Sequence, residues 1–366
     1  MNYLDMFSGI GGFRLGIEKV HSLLEGNGRK NLRSSRRQKT INGTGNGNLQ
    51  KNSRIGNADI GSPCVCIGHS EINRHADSIY QYHWRNSKNY GDATRIDPEE
   101  LPALDLIVGG FPCQAFSISG ERKGFEDTRG TLFFEVCRIA KVKRPKYLVL
   151  ENVKGLLNHA GGQTFQTILF SLEELGYDVE WAVLNSKYFG VPQHRERIYI
   201  IGHLGGSGRK VFRFGENGKE IDGICGQATN TITQRYGMAK GSGSYIIENQ
   251  FPENRLKKLI DGGMQGYYVY SADGVAQTQI SRGGGIGKTT GLYNLDGRIR
   301  RLTPKECERL QGFPDDWTKH GIKNNEEYKV SDSQRYFTLG NAVTVNVVQW
   351  VMEQLFEVNN DTPCSA

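Results

Sequence analysis

Short apolar runs recur along the first two hundred residues, each only a few residues long. They are Tyr3-Leu4-Asp5-Met6, Val65-Cys66-Ile67, Leu104-Asp105-Leu106-Ile107-Val108, Tyr147-Leu148-Val149-Leu150, Val179 to Leu184 and Ile198 to Ile201. Continuous apolar runs of this length, rich in β-branched residues, predict buried strands, and the run at 104–108 reads as a strand of a parallel sheet. Helical spacing takes over between them. Phe13, Ile17, Val20 and Leu24 recur on one helix face, and Gly130-Thr131-Leu132-Phe133-Phe134-Glu135 opens a second helix. Thr303-Pro304-Lys305-Glu306 is a capping box with proline at the first helical position. A last amphipathic helix carries Val347, Val348, Val351, Leu355 and Phe356 behind Leu339-Gly340-Asn341-Ala342-Val343. Strands alternating with helices predict an α/β fold.

Two stretches lack either period. Residues 27–61 turn to Gly, Asn, Ser, Arg and Lys, which predicts a disordered basic insertion. Residues 205 to about 297 are glycine-rich with short alternating runs such as Tyr267-Tyr268-Val269-Tyr270, which predicts a smaller, loop-rich domain. A length of 366 residues suits two domains. The net charge of +7 is unevenly placed: eight basic and two acidic residues between Ser22 and Ser62 leave the remainder near +1. Bulk basicity is therefore a weak pointer to nucleic acid for the folded part. Seven cysteines without a CxxC pair, no membrane-length apolar run and no signal-peptide pattern lead to the expectation of a reduced, cytoplasmic protein without a zinc site.

Candidate chemistry gathers where strands end. Gly109-Gly110-Phe111-Pro112 stops the 104–108 strand abruptly and places Cys113 on a loop at its carboxyl end, where open α/β sheets bind ligands. Cys113 in that context reads as a nucleophile, against the alternative of a small buried hydrophobe. The turn Asp5-Met6-Phe7-Ser8-Gly9-Ile10-Gly11-Gly12 lets a backbone approach a ligand closely, though it lacks the third glycine of the dinucleotide fingerprint. Glu71 at the second strand's end is placed either to accept from ribose hydroxyls or to be a surface acid. Asp92 lies ahead of the next strand, where it would accept from an adenine amino group. Glu151, directly after a buried strand, suits proton donation, because burial raises a carboxyl pKa. Arg195 and Arg197 flank Glu196 at a strand start, which alternatively forms a surface ion-pair ladder.

In their order along the chain, Phe111-Pro112-Cys113-Gln114, Glu151-Asn152-Val153, Gln193-His194-Arg195-Glu196-Arg197, Arg301-Leu302-Thr303-Pro304 and Gly340-Asn341-Ala342-Val343 resemble the DNA (cytosine-5)-methyltransferases of bacterial restriction–modification systems. The resemblance runs from Tyr3 to about Phe356. It implies a Rossmann-like S-adenosylmethionine-dependent methyltransferase domain, residues 1–204 plus 325–366, with a target-recognition domain at 205–324. It implies Cys113 as nucleophile at carbon 6 of a flipped-out cytosine, Glu151 at ring nitrogen 3, and Arg195 and Arg197 on the base's carbonyl oxygen. S-adenosylmethionine would meet Phe7, Ile10, Gly12, Glu71, Asp92, Ala93, Gly110, Pro112, Leu132, Asn341 and Val343. Double-stranded DNA would meet Ser119, Gln265 and Thr278, with Thr229-Asn230-Thr231-Ile232-Thr233 as the alternative to Thr278, and with no metal and no membrane. A monomer is expected, with a restriction endonuclease acting on the same sequence. An RNA-directed cytosine-5 methyltransferase and a non-catalytic DNA-binding relative are the alternatives; the presence of Cys113, Glu151, Arg195 and Arg197 together argues against the latter.

Overall fold

A computed structural model describes residues 1–23, 64–112, 132–205, 211–212, 258–260, 269–281, 290–295 and 298–356. The insertion read at 27–61 lies outside these residues. Six of the apolar runs become one sheet: β1 (Asn2–Met6), β2 (Val65–Ser70), β3 (Leu106–Gly110), β4 (Tyr147–Val153), β5 (Tyr177–Asn185) and β6 (Glu196–Leu204). Their spatial order is β2-β1-β3-β4-β6-β5. The first four run parallel, whereas β6 lies antiparallel between β4 and β5. The chain steps from β1 outward to β2 and then back to β3 on the other side, so the strand order reverses at β1. That is where an open sheet leaves a crevice at its carboxyl edge.

The sheet is covered on both faces, which is why its strands are apolar throughout rather than alternating. On one face, α1 (residues 12–23) and α7 (Val345–Leu355) bury Phe13, Ile17, Val20, Val348 and Val351 against Leu106, Val108 and Val149. These two helices come from opposite ends of the chain. They pack so closely that a Cβ on Gly16 would stand 2.6 Å from Val348 Cγ1. On the other face, α3 (Leu132–Lys143) and α4 (Gln163–Glu174) set Phe133, Val136, Ile139, Ile168 and Leu172 on Ile107, Leu148 and Leu150. Beyond β6, buried Glu180 of β5 accepts from Val211 N at 2.7 Å, Phe212 N at 3.0 Å and His203 Nε2 at 2.8 Å, anchoring the chain as it leaves the sheet.

A third cluster joins α2 (Arg74–His83), α5 (Pro304–Leu310) and α6 (Asp332–Asn341). The capping box at Thr303 forms as read, with Thr303 Oγ1 and the Glu306 carboxylate satisfying each other's backbone donors. Residues 339–341, read as the approach to the last helix, are instead the final turn of α6. A small sheet follows the order β10-β9-β8-β7, built from β7 (Lys258–Ile260), β8 (Val269–Ser271), β9 (Leu292–Leu295) and β10 (Arg298–Arg300). Trp317 Nε1 donates to Ile10 O at 3.0 Å, and a Cβ on Gly321 would stand 2.6 Å from Ser78 Oγ of α2. Residues 302–324 therefore pack on the first turn and α2, although the sequence reading put them in the smaller domain. A division near residue 300 fits this packing better, and is proposed here in place of 324.

Among the buried polar residues, Asp5 stands inside an apolar run. Asp5, in the middle of β1, is wholly buried; Tyr80 OH donates to its Oδ2 at 3.5 Å, and Oδ1 has no partner among the described residues. Burial pushes its pKa up to about 8, partly opposed by the Arg14 charge and the Tyr80 bond. The folded chain thus holds a proton that the unfolded chain releases near pH 4. The stability tied to that proton is complete below about pH 4 and drains away as pH rises to about 8. Asp5→Asn removes the titration. Thermal melts from about pH 5 to about pH 8 should show the wild-type midpoint falling relative to the variant's, and parallel profiles would refute a buried neutral carboxyl.

Candidate active site

Strand register brings four chain segments to one edge. Met6 pairs with both Ser70 and Gly109, and Gly110 pairs with Glu151, so the residues that follow β1, β2, β3 and β4 emerge side by side. Phe7 leaves β1 with a φ of 53°, turning the chain sharply into the glycine loop. Gly11 has a φ of +84°, and a Cβ there would lie 2.2 Å from the Trp84 ring, so position and conformation both demand glycine. The loop is clamped from β2. Glu71 Oε2 accepts from Gly9 N at 2.8 Å and Oε1 from Asn73 N at 2.7 Å. Burial raises the Glu71 pKa, and these two amides work against that rise. The Ile72 amide also bonds this carboxylate, and the remaining lone pair is open to a ligand.

Beside Glu71, Ile72 is 75% exposed, an apolar surface at a strand end that the sequence reading passed over. Asp92 caps a short turn by accepting from Thr94 N at 3.0 Å and Thr94 Oγ1 at 2.9 Å, bonds that lower its pKa. Gly12 lies under Val343, whose Cγ2 would be 2.6 Å from a Cβ at position 12. Leu132, at the start of α3, is half-buried, and Asn341 is exposed at the end of α6. Two of the residues expected at the cofactor have buried side chains. Ile10 is wholly buried in the α2–α5–α6 cluster, and Ala93 is buried in the core. Their side chains pack the walls behind the crevice, and their carbonyls bond to Trp317 Nε1 and Arg138 Nη2.

The chemistry of the β4 end is ionic. Glu151 is 8% exposed, and its Oε1 meets Arg197 Nε at 3.1 Å. A Cβ on Gly110 would lie 3.0 Å from Glu151 Oε2, so the missing side chain leaves that oxygen its space. Burial raises the Glu151 pKa, opposed by Arg197 and then Arg195. A carboxyl so placed holds a proton at higher pH than an exposed one and gives it up locally. Asn152 Nδ2 donates to Phe111 O at 2.9 Å and fixes the chain just before Pro112.

The ladder alternative for 195–197 does not describe these residues. Glu196 pairs with Lys154 at 3.0 Å, while Arg195 is buried and bonded to main-chain carbonyls. Burial lowers the Arg195 pKa, as does Arg197, and Glu151 opposes them. Both Nη groups of Arg195 are engaged in this way. Thr278 Oγ1 donates to His194 O, joining residues 276–281 to the segment that leads into β6. Cys113, Ser119 and Gln265 lie outside the described residues. Among the described residues no cluster of three His, Cys, Asp or Glu suits a metal ion.

Comparison with known proteins agrees with this arrangement. Residues 51–357 match the family described as C-5 cytosine-specific DNA methylase. The chain is 32% identical over 356 residues to the type II methyltransferase M.HhaI of Haemophilus parahaemolyticus, covering 96% of this chain and 93% of that one. It is 33% identical over 355 residues to the type II methyltransferase M.NlaX of Neisseria lactamica, covering 96% and 95%. In fold it is similar to the crystal structure of the S. pombe Dnmt2 methyltransferase, with a TM-score of 0.59 at 19% identity, covering 98% of this chain and 99% of that one. The clamped glycine loop, the buried carboxyl at the end of β4 and the extent of these matches lead to one statement: this chain belongs to the C-5 cytosine-specific DNA methylases.

Proposed function

We propose that Cys113, Glu151 and Arg197 carry the chemistry by which this methylase moves a methyl group from S-adenosylmethionine to carbon 5 of cytosine in DNA. The observation that supports this most is the buried Glu151–Arg197 pair, set over Gly110 three residues before Cys113 in the chain. Carbon 5 of cytosine is a poor nucleophile. Thiolate addition at carbon 6 makes an enamine, and carbon 5 then has electron density to attack a methyl group. Cys113 forms the bond to carbon 6. Glu151 donates a hydrogen bond or proton to ring nitrogen 3, so negative charge does not accumulate on the ring. Arg197, partly exposed and locked to Glu151, faces the base's carbonyl oxygen and holds the Glu151 carboxyl in place. Loss of the carbon-5 proton and departure of the thiolate complete the turnover.

The crevice suits the cofactor. Its glycine loop has no side chains to obstruct close approach, Glu71 retains a lone pair for a ribose hydroxyl, and Ile72 offers an apolar face beside it. S-adenosylmethionine, when bound, supplies an electrophilic methyl group. Phe7, Gly110, Pro112 and Val343 border it, with Asn341 at the rim. Carbon 6 is inaccessible in a stacked duplex, so the target base must leave the helix. Ser119, Gln265 and Thr278 are the residues we assign to the DNA side. The protein acts as a monomer inside the cell, protecting a sequence that a separate endonuclease cuts. No helix among the described residues is long and apolar enough to cross a membrane.

Methylation-sensitive sequencing of DNA from an expressing host should show 5-methylcytosine at one short sequence. Cytosine methylation confined to transfer RNA would overturn the reading. Duplex DNA substituted with 5-fluorocytosine should trap the wild-type protein covalently, because fluorine cannot leave as a proton does. Cys113→Ala should give no adduct, and persistent trapping would remove Cys113 from its role. Glu151→Gln should slow single-turnover methyl transfer by about 10²–10⁴-fold, the range for a lost general acid. An unslowed variant would move that role elsewhere. Glu71→Ala should weaken binding of S-adenosylhomocysteine by about 1.5–3 kcal/mol, roughly 10- to 150-fold in Kd. Isothermal titration would measure it, and an unchanged Kd would return Glu71 to a loop-clamping part only.

A further inference from the structure

Arg195 reaches three main-chain carbonyls on two separate segments. Its Nη1 donates to Gln279 O at 2.9 Å, and its Nη2 donates to Ala342 O at 2.8 Å and Gly340 O at 3.2 Å. The first segment, 276–281, is also laced to the strand leading into β6: Ala276 N donates to Pro192 O at 2.6 Å and His194 N to Ala276 O at 2.8 Å. The second, 340–343, turns α6 into α7 and presses Val343 over Gly12. The two segments touch directly, since a Cβ on Gly340 would stand 2.4 Å from the carbonyl carbon of Ile280.

A guanidinium holds its donors in one rigid plane, so a single side chain fixes these carbonyls relative to one another. At 3% exposure, no bulk solvent is available to replace a lost partner. Displacing 276–281 would strip Gln279 O from a buried cation, and displacing 340–342 would strip the other two carbonyls. Either loss leaves buried N–H groups unsatisfied, which is costly for a charged donor. Arg195 Nε already lacks a partner among the described residues, so the side chain has little in reserve. The position of each segment is thus energetically conditional on the other.

We infer that Arg195 is a positioning residue that couples DNA engagement at 276–281 to the grip on cofactor at 340–343. The inference rests on the reading given above, in which the first segment faces DNA and the second borders the cofactor. Arg195 itself touches neither. Coupling of this kind is reciprocal: the factor by which DNA tightens cofactor binding is the factor by which cofactor tightens DNA binding.

The test uses the full chain, S-adenosylhomocysteine and sheared unmethylated bacteriophage λ DNA, with cofactor Kd measured by calorimetry with and without the DNA. The wild type should bind S-adenosylhomocysteine about fivefold or more tightly when DNA is present, the lower range of allosteric coupling. Arg195→Lys should bring that ratio close to one. A uniform loss of cofactor affinity cancels in the ratio, and DNA is held above each protein's own DNA Kd, so that loss of DNA binding does not imitate the result. A ratio unchanged in Arg195→Lys would overturn the inference. Hydrogen exchange on the wild type needs no variant: S-adenosylhomocysteine alone should slow exchange in peptides covering both 340–343 and 274–281. Protection confined to 340–343 would overturn the inference while leaving the cofactor reading intact. Absence of binding and of protection throughout would overturn that reading, and the inference with it.

Discussion

A carboxyl buried at the end of β4 constrains most of what surrounds it. Desolvating a charge costs several kcal/mol unless a partner is held in good geometry. The partner comes from β6, which runs antiparallel to β4. In that register Glu151 faces Tyr199 and Val153 faces Arg197, so Glu151 and Arg197 form a diagonal pair on one face of the sheet. A parallel neighbour would connect at the same edge through a crossover and would not bring its starting residues to the end of β4. The inserted antiparallel strand is thus the topological means of delivering arginines to the carboxyl edge. Gly110 completes the arrangement by leaving space for the second carboxylate oxygen.

Legibility in the sequence followed the physical character of each feature. All six strands were visible as apolar runs because the sheet is covered on both faces. The direction of β6 was not visible, since parallel and antiparallel buried strands present the same composition. Glu71 and Glu151 were found because a carboxylate directly after an apolar run has few structural reasons to be there. Asp5 escaped notice as a buried acid because it stands inside a run, where the apolar neighbours carry the pattern. Its one signal was the interruption itself, Tyr3-Leu4-Asp5-Met6.

What the sequence does not show is made by distant residues. Ile10 stands in the glycine loop, but a loop has an inside as well as an outside, and its side chain is on the inside. Trp317, more than three hundred residues away, reaches the same turn and takes its carbonyl. Arg195 and Arg197 look equivalent in the alternation Arg-Glu-Arg, yet one is sealed among main-chain carbonyls and the other meets Glu151. No local pattern distinguishes them, because the difference is made by residues near 279 and 340. The same holds for residues 302–324: composition changes at 205 and again near 300, and the contacts of Trp317 with the first turn are not visible in either change.

These long-range contacts give the site an order of assembly. Gly12 is roofed by Val343, α1 is packed by α7, and the first turn is buttressed by Trp317. Each joins residues near the start of the chain to residues beyond 310. Loop-closure entropy has to be overcome before such contacts contribute anything, so they form late compared with local ones. The parallel core of β1 to β4 can close without them, since its strands and α3 lie within the first 153 residues. The roof over Gly12 cannot, because Val343 supplies it. The geometry at the carboxyl edge of β1 therefore depends on the C-terminal segment returning to the sheet.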